Sequence, residues 1–128
     1  MATSGGSLNL PPGAGRAGEA AAESHLRQIG FEILARNYRT REGEVDIVAR
    51  DGDTCVFVEV KARRQSAYGL PEESITATKA GHLIAAAQAY LGEHGGLHDD
   101  WRIDLVAVEL DRAGRVERVE LIRDAVTE

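Results

Sequence analysis

The chain has 128 residues, of which 43% are hydrophobic and 28% are charged, and its formal net charge is −6 at pH 7. This length accommodates one globular domain with a real core and excludes a second domain of similar size. The sequence holds no unbroken apolar run of membrane-spanning length, and its N-terminus lacks the basic and then apolar layout of a signal peptide. We therefore expect a cytoplasmic protein without a membrane segment. The acidic balance argues against nucleic-acid affinity spread over the whole surface.

The N-terminal segment differs in composition from the rest of the chain. Residues 1–14 are rich in small residues, glycine and proline and show no periodicity, which predicts a disordered segment ahead of a single domain over residues 15–128. A helix is predicted from about Gly15, because apolar residues recur at helical spacing until Gly30 provides a stop.

This first helix carries two glutamates one turn apart, Glu19 and Glu23. On a helical projection Glu19 lies almost in line with Leu26, and Glu23 lies at the edge of the apolar stripe. At least one of the two glutamates should therefore face the sheet. Plain compensation of the helix dipole by Glu19 in the first turn is the alternative.

A first strand is predicted over residues 31–37, where apolar residues alternate, and a basic loop over residues 38–42. Basic residues lie on both sides of the segment that follows, namely Arg36, Arg39 and Arg41 before it and Lys61, Arg63 and Arg64 after it. A positive rim that binds nucleic acid through Arg41 and Arg63 is compatible with this pattern, and so are ordinary solvated strand ends.

Residues 43–64 predict a β-hairpin, because Asp51-Gly52 stands between two alternating runs and glycine tolerates the positive φ of a tight turn. A two-residue loop at Asp51-Gly52 would pair Arg50 with Asp53, Val48 with Cys55 and Asp46 with Phe57. Glu59 lies two positions beyond Phe57, so it shares a sheet face with Asp46. Lys61 lies two positions further on and has the same facing.

Two carboxylates and an amine therefore converge on one face of the hairpin. Carboxylates at diagonal positions, roughly 7–8 Å apart at the backbone, are close enough to share a divalent cation such as Mg²⁺. Such a cation activates a water and neutralises charge on a phosphoryl oxygen, and the Lys61 ammonium would orient that water or stabilise the developing charge. The simpler alternative is the solvated face of an amphipathic strand. The apolar residues around Asp46 and Glu59 favour a site, because isolated charges inside a sheet are costly unless paired or metal-bound.

The second half of the chain begins with an irregular stretch over residues 65–74, where Tyr68 would either stack on a base or sugar or simply pack. Thr76 is the predicted N-cap of a second helix that runs to about Leu91. Lys79 in the first turn of that helix opposes the helix dipole. Holding a phosphate and lying plainly on the surface both remain open for this lysine.

Two strands complete the chain, one over residues 101–110 and one over residues 116–122. Asp104 is surrounded by apolar residues and is expected to pair with an arginine. The charges of the last strand mark it as an edge of the sheet. The predicted order of elements is therefore α-β-β-β-α-β-β, without internal repeats.

This order, with its acidic first helix, resembles the PD-(D/E)xK nuclease superfamily. More closely, the segments GEVDIVARDG and VFVEVKAR, the segment from Tyr68 to Lys79, and Arg102-Ile103-Asp104 are similar to the bacterial YraN family, which is related in fold to archaeal Holliday-junction resolvases. The similarity extends from about Gly15 to the C-terminus. It implies an α/β, restriction-endonuclease-like core in which a mixed β-sheet is flanked by two helices. Val45 stands where the motif name has proline, a departure that the superfamily tolerates.

The resemblance also implies a nuclease site that depends on Mg²⁺ or Mn²⁺. In this scheme the metal ligands are Asp46, Glu59 and the carbonyl of Val60. The catalytic residues are Lys61 and an acid of the first helix, either Glu19 or Glu23. The candidate contacts to nucleic acid are Arg41, Arg63, Tyr68 and Lys79.

We therefore expect a metal-dependent endonuclease that hydrolyses DNA phosphodiester bonds, with branched or damaged DNA as candidate substrates. A non-catalytic nucleic-acid-binding or adaptor protein that keeps the nuclease fold is the main alternative. A third hypothesis is a structural partner that dimerises through the alanine-rich second helix. A homodimer would also suit an enzyme that cuts a junction at two symmetric places.

Overall fold

The computed structural model describes residues 14–64, 69–95 and 100–126. It contains the helices α1 (Ala14–Gln28) and α2 (Ala77–Glu93), the strands β1 (Glu32–Arg39), β2 (Glu44–Asp51), β3 (Thr54–Arg64), β4 (Trp101–Leu110) and β5 (Val116–Val126), and a 3-10 helix at Pro71–Ser74. The predicted order of helices and strands is confirmed. Residues 1–13 of the segment predicted to be disordered lie outside the described residues, and Ala14 is the first residue of α1.

The five strands form one sheet in the order β1-β2-β3-β4-β5. The pair β3–β4 is parallel, and the three other pairs are antiparallel. Parallel neighbours need a long crossover, and α2 provides it between β3 and β4. The sheet is therefore mixed and has a helix on each face, so the predicted α/β class with a restriction-endonuclease-like core is confirmed.

Two apolar layers fill the space between the sheet and the helices. On one face, Leu26 of α1 packs with Val56 and Val58 of β3. On the other, Leu83 of α2 packs with Cys55 and Phe57 of the same strand. Successive residues of β3 enter opposite layers because side chains alternate along a strand. This strand is thus central, and a polar side chain on its buried stretch needs a partner inside the protein.

The register of the β2–β3 hairpin differs from the predicted one. Asp51 pairs with Thr54 and Val48 pairs with Phe57, so the two-residue loop is Gly52-Asp53 and not Asp51-Gly52. Gly52 has φ +62°, and glycine with positive φ at the first loop position is the requirement of a type II′ turn. The predicted and observed registers are offset by two residues. Because facing repeats every two residues, the offset leaves the facing of the strands unchanged.

Several local predictions are confirmed. The Thr76 hydroxyl accepts the backbone N–H of Lys79 at 3.2 Å, as expected of an N-cap. Asp104 is fully buried and receives Arg102 Nε at 2.9 and 3.1 Å on its two oxygens. β5 lies at an edge of the sheet, and it extends to Val126, beyond the predicted end at Ile122. Within the described ranges, neither helix has the length and apolar character needed to cross a bilayer.

Candidate active site

The candidate site lies where β2 and β3 stop pairing. Their ladder runs from Asp51–Thr54 to Ile47–Val58. Beyond it, the Asp46 carboxylate accepts the backbone N–H of Val60 at 2.8 Å and takes the place of a main-chain acceptor. The N–H and C=O of one strand residue face the same neighbouring strand, so the Val60 carbonyl faces this opening between the strands as well.

Glu59 carries the second carboxylate of the site. It is only 6% exposed, and it faces the α2 side of the sheet because it follows Cys55 and Phe57 at intervals of two residues. There its Oε2 forms an ion pair with the ammonium of Lys79, which is 36% exposed. The first turn of α2 therefore supplies the counter-charge of this buried carboxylate.

The carboxylates around this opening repel one another. Burial and, after it, the charge of Glu59 raise the pKa of Asp46 to about 8, although the N–H of Val60 acts in the opposite direction. The pKa of Glu19 is also raised, first by burial and then by Glu44 and Glu59. Buried carboxylates that raise the pKa of their neighbours are typical of sites that take up a cation.

Lys61 lies on the same face as Glu59 and is half-buried. The pKa of its ammonium is lowered, mainly by burial and next by Lys79, while Glu59 acts in the opposite direction. Lys61 and Lys79 therefore approach the same carboxylate from different elements. The structure thus brings two amines to the carboxylates, whereas the sequence predicts two carboxylates with one amine, Lys61.

Of the two helix acids, the structure brings Glu19 to the site and not Glu23. Glu23 pairs with Arg36 of β1 at 2.6 Å and with Arg27 at 3.0 Å. These hydrogen bonds, that of Arg36 above all, lower the pKa of Glu23 to about 2. Glu23 therefore belongs to an ion-pair cluster between α1 and β1, one turn away from Glu19.

The residues predicted to contact nucleic acid have different surroundings. Arg41 is exposed in the loop between β1 and β2. Arg63 is half-buried and donates to the carbonyl of Gly69 at 3.0 Å, so it supports the chain after β3. Lys79 pairs with Glu59. Tyr68 lies outside the described residues.

A metal here would depend partly on main-chain oxygen. Over the described ranges, no three His, Cys, Asp or Glu side chains converge closely enough to hold a metal ion. The candidate set consists of the Asp46 and Glu59 carboxylates with the Val60 carbonyl. Three hard oxygen donors suit Mg²⁺ or Mn²⁺, which keep several waters as ligands. The raised pKa of Asp46 fits a cation there as well, because added positive charge would offset the mutual repulsion of the carboxylates.

Comparison with known proteins places the chain in a family. Residues 18–108 match the uncharacterised protein family UPF0102. The chain belongs to the UPF0102 family. A UPF0102 protein of Dehalococcoides mccartyi is 43% identical over 89% of this chain and 93% of its own length. UPF0102 proteins of Pelotomaculum thermopropionicum, 48% identical over 87% and 92%, and Anaeromyxobacter dehalogenans, 50% identical over 80% and 78%, are similar. The predicted membership of the YraN-like family is confirmed.

Two glycines position the site of this UPF0102 protein, and sequence reasoning missed both. A Cβ on Gly43 would lie 2.9 Å from the Cβ and 3.2 Å from the backbone oxygen of His82, so the loop before β2 touches α2. A Cβ on Gly18 would lie 3.2 Å from the Cβ of Ala62, so α1 packs closely on β3 next to Glu19. The only signal of these contacts in the sequence is the glycine itself, because glycine allows close approach of two elements.

Proposed function

We propose that this UPF0102 protein is a metal-dependent endonuclease of the PD-(D/E)xK superfamily that hydrolyses phosphodiester bonds in branched or damaged DNA. The observation that carries the proposal is the convergence of Asp46, Glu59 and Lys61 at the end of the β2–β3 ladder, with Glu19 beside them. The matching order of elements adds support, although a fold alone assigns no chemistry.

Each residue of the site has a role in this proposal. Asp46, held by the Val60 N–H, and Glu59 would bind Mg²⁺ or Mn²⁺ together with the Val60 carbonyl. The bound cation supplies an activated water and charge neutralisation at the phosphoryl group. The Lys61 ammonium, whose lowered pKa eases exchange of a proton, orients the attacking water or stabilises the charge that develops on phosphorus-bound oxygen. Glu19 would accept hydrogen bonds from waters on the α1 side.

A cleavage panel tests this function. The purified chain is incubated with Mg²⁺ or Mn²⁺ and linear, single-stranded, flapped or four-way-junction DNA. We expect products with at least one substrate and a loss of about 100-fold or more in Lys61→Met. Arg112→Met is the matched control, because it also removes one positive charge, at the exposed turn after β4. Equal cleavage by Lys61→Met and the parent would contradict the assignment.

A non-catalytic nucleic-acid-binding or adaptor role is the second candidate. It is favoured by the net charge of −6 and by the lack, in the part of the chain that the structure describes, of three converging side-chain ligands. This role predicts salt-sensitive DNA binding that persists in Lys61→Met, with no product under any metal.

The proposal extends to assembly and location. A homodimer would place two sites on opposite strands of a junction, and a cytoplasmic location would give access to DNA. Light scattering of the purified chain with and without junction DNA measures its molar mass and so tests for the homodimer. A monomeric mass in both conditions would contradict the dimer and leave the cleavage chemistry unaffected.

A further inference from the structure

The contact between Lys79 and Glu59 has no equivalent elsewhere in the described ion pairs, because it joins an amine at the start of a helix to a carboxylate that is 6% exposed. Lys79 is the third residue of α2, where the helix dipole disfavours a cation. Glu59 would be costly without a counter-charge, because a buried carboxylate must be paired. Each charge therefore stabilises the other in a position that would otherwise be unfavourable for it.

The same carboxylate is a candidate metal ligand. A divalent cation bound to Glu59 would come within a few ångströms of the ammonium on the Glu59 Oε2 atom, and like charges at that separation repel strongly in a poorly solvated site. Lys61, half-buried on the same strand face, adds to that repulsion. The cation and Lys79 therefore compete for Glu59.

The Lys79 side chain has room to move away from Glu59 into solvent. Its side chain is 36% exposed, and a lysine has a flexible four-carbon stem. The α2 backbone stays in place because Thr76 caps the helix and Leu83 anchors it in the core. The ammonium can therefore leave Glu59 toward solvent while the helix keeps its place.

We infer that Lys79 is a resident counter-ion of Glu59, that a divalent cation displaces it, and that the released ammonium then binds a phosphate of the substrate. This inference rests on the proposed function and adds an order of events to it. Metal and DNA would each strengthen the binding of the other, since coupling between two ligands is reciprocal. Metal-free protein would keep Lys79 on Glu59 and bind DNA weakly.

Metal affinity gives the first test. Mn²⁺ binding is measured by calorimetry for the parent, for Lys79→Met, which keeps the length of the side chain, and for Arg112→Met. Arg112 lies beyond Leu110, which is five strand residues past Leu105, the partner of Glu59, or about 16 Å along the strand. We expect Lys79→Met to bind Mn²⁺ about fivefold or more tightly than the parent, and Arg112→Met to bind it like the parent. Equal or weaker binding by Lys79→Met would overturn the inference.

The second test is measured on the parent chain, and a substituted chain serves only to assign its signals. It contains only two lysines, Lys61 and Lys79, so ¹³C-labelled lysine yields two resolvable side-chain signals, which the spectrum of Lys79→Met assigns. Saturating Mg²⁺ should move the Lys79 signal to that of a solvent-exposed amine. A Lys79 signal that stays in place while Mg²⁺ binds would overturn the inference and leave the nuclease proposal standing.

Binding to DNA completes the experiment. Mn²⁺ should strengthen DNA binding by the parent about tenfold or more and by Lys79→Met about threefold or less. The same gain in both proteins would overturn the role of the released ammonium. A failure of Mn²⁺ to bind either protein overturns both proposals. Binding with no cleavage of any DNA overturns only the nuclease.

Discussion

The Asp46 carboxylate accepts the N–H of Val60 at 2.8 Å in a place where burial and Glu59 raise its pKa to about 8. A hydrogen bond from the backbone normally favours the charged form of a carboxylate. Here it is outweighed by desolvation and by a neighbouring carboxylate. The protein thus holds Asp46 in a position that is unfavourable for its charge, and such positions are typical of functional sites.

This arrangement predicts that Asp46→Asn stabilises the metal-free protein. The folded pKa of Asp46 lies above its ordinary value of 3.8. The contribution of Asp46 to the free energy of unfolding is therefore fully present below about pH 4 and is lost as pH rises toward 8. Asparagine keeps an oxygen for the Val60 N–H without the charge. We expect a gain of about 1–3 kcal/mol at pH 8 and almost none at pH 4, measured by urea unfolding in the presence of a chelator.

The same substitution should weaken Mn²⁺ binding by more than about tenfold, because it removes a charged ligand. Asp53→Asn in the exposed hairpin turn is the matched control, since it makes the same chemical change away from the site. It should alter neither quantity. A destabilised Asp46→Asn protein that still binds Mn²⁺ would refute this account of the site.

The common facing of Asp46 and Glu59 followed from the sequence, although the register of the hairpin did not. Alternation alone places Asp46 and Glu59 on one face in any register offset by an even number of residues. The position of the turn was harder to predict, because the loops Asp51-Gly52 and Gly52-Asp53 both contain the glycine that tight turns prefer. The structure has the second of these loops. The facing of the side chains follows from the two-residue period of a strand. The register also depends on the backbone conformation of Gly52, which the sequence does not specify.

Side chains that depend on tertiary partners were harder to predict. The helical projection left Glu19 and Glu23 both as candidates, and the pairing of Glu23 with Arg36 of β1 and Arg27 is what separates them. The partner of Lys79 was likewise hidden, because it comes from β3, twenty residues earlier in the chain. Helical and strand periods carry information on facing but none on such pairings.

The close contact between Gly43 and His82 leads to a second prediction. In Gly43→Ala the new Cβ would meet the Cβ and backbone of His82, so the β1–β2 loop or α2 must shift. We expect a loss of about 1–3 kcal/mol in unfolding free energy and weaker Mn²⁺ binding, because the loop leads into the strand that carries Asp46. Thermal unfolding and calorimetry measure the two effects.

Gly81→Ala is the control for this change. Gly81 lies in the second turn of α2 with nothing within 4 Å of a new Cβ. Alanine there should stabilise the protein by about 0.5–1 kcal/mol, because it lowers the entropy of the unfolded chain. Similar effects of the two substitutions would show that the close approach at Gly43 has no energetic importance.

The buried pair of Arg102 and Asp104 gives a third prediction, on stability. Asp104 is fully buried, and Arg102 also donates to Asp51 at 3.0 Å. Arg102→Met should destabilise the protein by about 3–5 kcal/mol, because it leaves a buried carboxylate without its counter-charge. Adding Asp104→Leu should recover part of that loss.

Arg118→Met is the control, at an exposed arginine with contacts of 3.6 and 3.9 Å. It should change stability by less than about 0.5 kcal/mol. A loss there as large as in Arg102→Met would contradict the argument from burial.

The fourth prediction separates the two helix glutamates by pH. The pKa of Glu23 is lowered to about 2 by Arg36 and Arg27, so its contribution to stability is present above pH 4.5 and disappears as pH falls toward 2. Glu23→Gln should lower stability at pH 7 by at most about 1 kcal/mol, since its arginine partners are exposed and screened by salt. The difference from the parent should vanish near pH 2, and Glu42→Gln in the exposed loop should leave stability at pH 7 unchanged. Glu23→Gln should also leave Mn²⁺ binding and DNA cleavage intact, whereas Glu19→Gln should reduce both, because only Glu19 is coupled electrostatically to Glu59. Loss of cleavage in Glu23→Gln with full activity in Glu19→Gln would reverse the assignment of the helix acid.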